Sequence, residues 1–176
     1  YYVFDLGVEK NEVQRMSTDI KKICQYTDDF IELDKPNFIW NKIADFGYPV
    51  TQKNRMILRI TSLPSKTIDI TNQIRKIKTP FSPIDFKIIS DHIHGNSNIL
   101  CSNLTKPENM LELIKQIREK VHHYDGNVIL ESVPHNIKSQ CEIWDANSNT
   151  IQLMENLKKT YDPFQTLNPG RFAGRI

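Results

Sequence analysis

The chain is short of the residues from which the commonest catalytic motifs are built. Only six glycines occur among 176 residues, with no GxGxxG run and no GKS/T loop, which excludes the usual phosphate cradles of nucleotide-binding proteins. The three cysteines, Cys24, Cys101 and Cys141, are widely spaced and form no CxxC pair for zinc, an iron–sulfur cluster or a redox disulfide. They read as buried thiols of a cytosolic protein. No run of about 18 apolar residues is long enough to span a bilayer. No GxSxG elbow presents a serine nucleophile. Lysine and arginine form no run, and a net charge of +2 is too small and dispersed to point to nucleic acid or an anionic membrane surface. The opening YYVFDLGVEK has neither an initiator Met nor the basic-then-apolar order of a signal peptide, so the chain is expected to be a fragment entered partway through a strand.

What is present is an alternation of short periodic segments. Residues 2–8 alternate as a strand; Val13, Met16, Ile20 and Ile23 then form a helical stripe. An extended piece at 31–33 precedes a helix over 37–46, with Phe38, Ile39, Trp40, Ile43 and Phe46, closed by the turn Gly47-Tyr48-Pro49. The run RMILRITS, 55–62, predicts a strand, and Pro64-Ser65 opens a helix with Ile70, Ile74 and Ile77 on one side, stopped by Thr79-Pro80. Two strands follow between Phe86 and Leu104, divided by a hairpin turn at 91–96. Thr105, Pro107 and Glu108 predict a capping box, and the helix running to His122 should bury Leu111, Ile114, Ile117 and Val121. A strand over 128–133 and a last helix over 150–161, burying Ile151, Met154, Leu157 and Tyr161, complete the order β-α-β-α-β-α, then β-β-α-β and helices. This pattern predicts an α+β fold: an antiparallel sheet with helices on one face, divided into two ferredoxin-like halves. The halves would divide as 1–78 and 79–161, with a C-terminal strap over 162–176.

Most residues of chemical interest have a plainer structural reading. His92 and His94 would point to one side if they lay on a strand, but Asp91, Glu131 and His135 make no evident third and fourth ligand, so the pair reads as a polar hairpin turn and no metal is expected. His122-His123 suits the negative end of a helix dipole. Ser90-Asp91-His92 is consecutive, whereas a triad assembles in space. Asp28-Asp29 reads as solvated loop, and Trp40 and Trp144 as core or interface. The tail differs. Asp162-Pro163 and Asn168-Pro169 bar the preceding residue from helix and Gly170 opens further conformations, so the segment should be an irregular, fixed strap. Its Arg171 and Arg175 offer planar groups suited to phosphate or carboxylate, with a surface salt bridge as the alternative.

The run LMENLKKTYDPFQTLNPGRFAGRI, 153–176, resembles the terminal segment of FAD-linked oxidases of the vanillyl-alcohol-oxidase-like group, in which a helix leads into an aromatic-Asp-Pro turn and ends at Asn-Pro-Gly before a basic residue. Upstream, GNVILESVPHNIKSQCEIW, 126–144, and more weakly the stretch 38–64 with Trp40 and RITSLPS, resemble the accessory FAD-linked subunit of glycolate oxidase and its relatives. The resemblance implies a C-terminal α+β cap that closes over the isoalloxazine and shapes the substrate pocket, with FAD held mainly by an N-terminal domain that this sequence does not include. It implies oxidation of a 2-hydroxy acid such as glycolate or lactate, cofactor contacts from Asn168, Gly170 and Arg171, and work beside a catalytic flavoprotein subunit and an iron–sulfur subunit. A cytoplasmic location, at most peripheral on the inner face of the cell membrane, goes with it. The HxGDGNxH motif of the catalytic flavoprotein is represented here by no more than His94-Gly95-Asn96, which favours the accessory type and leaves the catalytic residues unassigned. The alternative is a stand-alone ferredoxin-like binding or regulatory module.

Overall fold

A computed structural model describes residues 10–23, 36–48, 54–78, 84–104 and 106–175. The strand expected at 2–8, the extended piece at 31–33, Cys24, Asp28-Asp29, Thr79-Pro80 and Thr105 lie outside the described residues. The chain divides into two units, residues 1–40 and 41–176. The first holds α1 (Lys10–Ile23) and the start of α2 (Pro36–Ala44). In α1 the predicted stripe is only half-realised: Val13, Met16 and Ile20 are half-buried, while Ile23 is 81% exposed.

The second unit follows the order β1 (Met56–Thr61), α3 (Thr67–Arg75), β2 (Asp85–Asp91), β3 (Asn96–Ser102), α4 (Pro107–His122), β4 (Asn127–Ser132). Its four strands lie side by side as β2-β3-β1-β4, and every neighbouring pair is antiparallel. That is one ferredoxin-like βαββαβ unit. Its strands come from both sides of residue 78, so the expected halves 1–78 and 79–161 share a single sheet. Two further helices, α5 (His135–Lys138) and α6 (Ser148–Tyr161), follow it.

The arrangement follows from the strand sequences. β1 reads MILRIT, with Met56, Leu58 and Ile60 on one face and Ile57 and Arg59 on the other, and all four of its apolar residues are at most 1% exposed. A strand apolar on both faces belongs in the middle of a sheet. Across the ladder, Met56 pairs with Cys101 and Leu58 with both Ile99 and Leu130, so one face is continuous apolar surface. Ile70 and Ile74 of α3 and Leu113, Ile114, Ile117 and Val121 of α4 pack onto that face.

Two expectations about α4 need correcting here. α4 starts at Pro107 with Lys106 in the capping position and no side-chain cap bond, so no capping box forms at Lys106. Its buried face includes Met110 and Leu113, whereas Leu111 is half-buried, because α4 rests on the sheet and on α3 together and so buries a wider arc than one stripe. His92 and His94 lie in the four-residue turn between β2 and β3, as the hairpin-turn reading of 91–96 expected. In that turn Gly95 has φ +72°, and a Cβ there would come within 2.0 Å of the Ser62 carbonyl oxygen. Only glycine permits this approach, in which Ser62 N donates to Gly95 O at 2.9 Å and ties the hairpin to the end of β1.

The outer edge of β4 is also engaged. Leu130 N donates to Ile143 O at 2.9 Å, so the segment after α5 runs alongside it.

Candidate functional site

The strap singled out by the sequence is built on α6. Asn147 caps this helix, its Oδ1 accepting from Thr150 N at 2.9 Å. Of the four residues expected to be buried, Ile151 and Met154 are half-buried, but Leu157 is 49% and Tyr161 80% exposed. The helix is rotated so that Ile151 meets the end of the strap: a Cβ on Gly174 would lie 2.7 Å from Ile151 Cγ2.

Asp162 ends α6 and fixes the strap's first turn. Its carboxylate receives the Lys158 ammonium at 2.6 Å, the backbone N–H of Thr166 at 2.9 Å and of Leu167 at 3.0 Å, and the Thr166 hydroxyl at 3.0 Å. Lys158 also donates to Leu167 O at 2.5 Å. The Lys158 ammonium first, and then these donors, hold the carboxyl far below the usual carboxylate range. At the far end Ala173 is buried, the Phe172 ring centre lies 5.6 Å from that of Trp144, and Arg175 Nη2 donates to Ser139 O at 3.1 Å. Trp144 is half-buried and meets the Phe172 ring at a tilt of 52°.

Between these anchors, Asn168, Gly170 and Arg171 are all exposed. Gly170 uses the freedom expected of it, with φ 70°, whereas Asn168 takes a positive φ of 46° that its place before proline did not suggest. Arg171 makes no salt bridge with any described residue, although its backbone N donates to Asn168 O at 3.2 Å. The guanidinium thus stands on a fixed backbone with its donors available.

The strap rests on residues 139–145, which are themselves clamped by Asp145. Arg118 Nε lies 3.0 Å and His122 Nε2 2.7 Å from the Asp145 carboxylate, which also accepts from Val128 N at 2.9 Å. Arg118 donates in addition to Glu142 O. Arg118 and His122 sit one turn apart on α4, so this helix grips the segment through two side chains. His122 therefore does more than meet the helix dipole.

A second polar cluster lies on the sheet face away from α3 and α4, and the sequence reading missed it. Between Ile57 and Leu58 the β1–β4 register shifts, Ile57 pairing with Ser132 and Leu58 with Leu130, which leaves Glu131 as an extra residue. Such a bulge re-aims a side chain. Here it brings Glu131 Oε1 to 3.3 Å from Arg59 Nε, without an aligned hydrogen bond. Asn98, opposite Arg59 on β3, has a buried carboxamide oxygen with no hydrogen-bond partner among the described residues. Tyr48 is influenced by both charges: burial first, then Glu131, raises its phenol pKa, and Arg59 opposes them. One signal was legible, a lone arginine within an otherwise apolar strand.

No protein-family model, curated protein or solved structure matches the chain. Its chemistry therefore rests on the groups themselves. Guanidinium, phenol and carboxamide groups bind and orient anions or polar carbonyl compounds. Among the described residues the Ser90-Asp91-His92 run forms no triad. Ser90 accepts from Ser97 Oγ at 2.9 Å, while Asp91 caps the hairpin turn, accepting from Ile93 N, His94 N and the His94 ring. That use, through the His94 side chain above all, lowers the Asp91 pKa. Among the described residues no group of three or more His, Cys, Asp or Glu is placed to hold a metal ion. Cys101 is fully buried, its thiol pushed up to about 12 by desolvation. Cys141 is half-buried, raised by the same cause, and donates to Ile137 O. Among the described residues no helix is long and apolar enough to cross a membrane.

Proposed function

We propose that this chain is the cap half of an FAD-linked oxidoreductase resembling the accessory subunit of glycolate oxidase, acting on a small 2-hydroxy acid such as glycolate. The observation that supports this reading is the strap. It is pinned by Asp162 at one end and by Ala173 and Arg175 at the other, and it exposes Asn168, Gly170 and Arg171, the residues that carry the family resemblance. Such pinning suits a surface that must present an arginine at a set position to an anionic group. The flavin supplies the hydride chemistry when bound. This chain has no glycine-rich pyrophosphate loop, so its residues fit an edge contact with the cofactor rather than the whole site. Asn168 and Gly170 shape the backbone there, and the Arg171 guanidinium meets phosphate or the anionic edge of the ring.

On this reading the full-length protein works in the cytoplasm, at most peripheral to the membrane, with a catalytic flavoprotein subunit and an iron–sulfur subunit. Purified full-length protein is expected to show the absorption bands of oxidised flavin and to bleach when a 2-hydroxy acid is added without oxygen. Arg171→Ala should lower its flavin content. A full-length protein that stays colourless after incubation with FAD overturns the reading. That outcome favours the alternative of a ferredoxin-like binding module, for which the second polar cluster around Arg59 is the supporting observation.

A further inference from the structure

One row of cross-strand neighbours runs over the sheet face away from α3 and α4. Ile89 of β2 pairs with Asn98 of β3, Asn98 with Arg59 of β1, and Arg59 with Ile129 of β4. Residues paired in this way stand side by side on one face. Two polar residues are thus bracketed by two isoleucines, each half-buried. The bulge in β4 adds the Glu131 carboxylate, and the Tyr48 phenol is close enough to feel both charges.

The polar groups of this row are not spent on one another. Arg59 Nε and Asn98 Oδ1 are both buried, on residues opposite each other, and neither has a hydrogen-bond partner among the described residues. A purely structural pair would join this donor to this acceptor, because leaving both unmade is expensive. Arg59 leans instead towards Glu131, at 3.3 Å, and its side chain remains 42% exposed. With Nε buried, that exposure lies towards the outer Nη fork. Asn98, half-buried with its oxygen inward, likewise turns its amide N–H groups outward. The Tyr48 phenol is 50% exposed and keeps its proton at neutral pH, a further donor nearby.

Charge selects what such a group of side chains can hold. A lone carboxylate or phosphate meets Glu131 beside Arg59, and repulsion from the one offsets attraction to the other. A lone amine has the converse difficulty. A molecule that bears a carboxylate and an ammonium on a single carbon satisfies both, its carboxylate on the planar Arg59 fork and its ammonium on the Glu131 oxygens. Ile89 and Ile129 receive an apolar side chain and would leave a charged one without a partner. The geometry points to a binding site for a free α-amino acid with an aliphatic side chain, formed by Arg59, Asn98 and Glu131 between Ile89 and Ile129. The site uses no residue of the strap and does not depend on flavin binding.

Equilibrium dialysis of labelled L-leucine against the purified full-length protein tests this. L-Leucine is expected to be retained. Isocaproate lacks the ammonium, leucic acid carries a hydroxyl in its place, and isoamylamine lacks the carboxylate. Each loses one charged contact and is expected to compete at least about tenfold more weakly than unlabelled L-leucine. Arg59→Gln and Glu131→Gln should each weaken L-leucine binding by at least about tenfold for the same reason. Saturating L-leucine should also slow modification of Arg59 by phenylglyoxal, followed by peptide mass spectrometry. This last measurement needs no variant, so it decides the location even where a substitution unfolds the protein. If leucic acid, isocaproate or inorganic phosphate competes as well as L-leucine, Glu131 reads no ammonium and the inference is overturned. No retention of L-leucine at millimolar concentration overturns it as well. If L-leucine binds while Arg59 reacts at an unchanged rate, the amino acid sits elsewhere and the assignment to this row is wrong.

Discussion

The ammonium of Lys158 lies 2.6 Å from the carboxylate of Asp162, one helical turn further along the chain, and the same carboxylate gathers two backbone N–H groups of the strap. This junction makes the C-terminal segment a structured part of the molecule.

Its stability should depend on pH with a definite sign. The Asp162 pKa is lowered from 3.8 in the folded state, so its contribution is present above about pH 4 and is lost as the pH falls through the folded value. Asp162→Asn is expected to melt at a lower temperature than the parent at pH 7. The gap should narrow steadily below about pH 4. Thermal melts of both proteins across that range check it, and a constant gap would refute the assignment.

Asp145 combines a side chain 8% exposed with a backbone φ of +55°. Asp145→Ala removes the shared partner of Arg118, His122 and Val128 N and strains the backbone, for an expected loss of about 3 kcal/mol in urea unfolding. Asp145→Gly relieves the strain but not the lost partners, so it should recover only part of the deficit. Full recovery in the glycine variant would mean that conformation, not charge, is what the position supplies.

Gly95→Ala forces a Cβ to within 2.0 Å of the Ser62 carbonyl at a φ that alanine disfavours. The hairpin must move away from β1, and a destabilisation of at least about 2 kcal/mol is expected by denaturant titration.

Tyr48 reports on the Arg59–Glu131 pair. Glu131 raises its phenol pKa and Arg59 lowers it. Glu131→Gln should therefore shift the Tyr48 titration to lower pH and Arg59→Gln to higher pH. Ultraviolet titration, with Tyr48→Phe as the blank, measures both shifts, and shifts of the same sign would show that the pair does not act on Tyr48 electrostatically.

Much of the second unit was legible because its strands carry their own pattern. RMILRITS, FKIIS, SNILCSN and the run after Gly126 all became strands near their expected bounds, and Ile70 and Ile74 took the buried side of α3. What escaped depends on partners distant in sequence. Met110 and Leu113 are buried because α4 meets two elements at once, and Leu157 is exposed because Gly174 draws Ile151 inward and rotates α6. The Arg59–Glu131 pair needs a bulge that no local pattern announces. Of the strap, its irregularity and the freedom of Gly170 were readable from Asn168-Pro169-Gly170; the left-handed Asn168 and the carboxylate that anchors the strap were not.

The position of β1 in the sheet has a consequence for biosynthesis. It is the first of the four strands to leave the ribosome, yet Arg59 pairs with Asn98 on one side and Ile129 on the other. The sheet cannot close until β4 has been synthesised, because long-range pairing must wait for its partner. A nascent or truncated chain that stops before Asn127 would leave Ile57, Leu58 and Ile60 on an apolar strand paired with β3 on one side and open on the other, the kind of edge at which chains stick to one another. A ribosome stalled at that point would hold a client for chaperones.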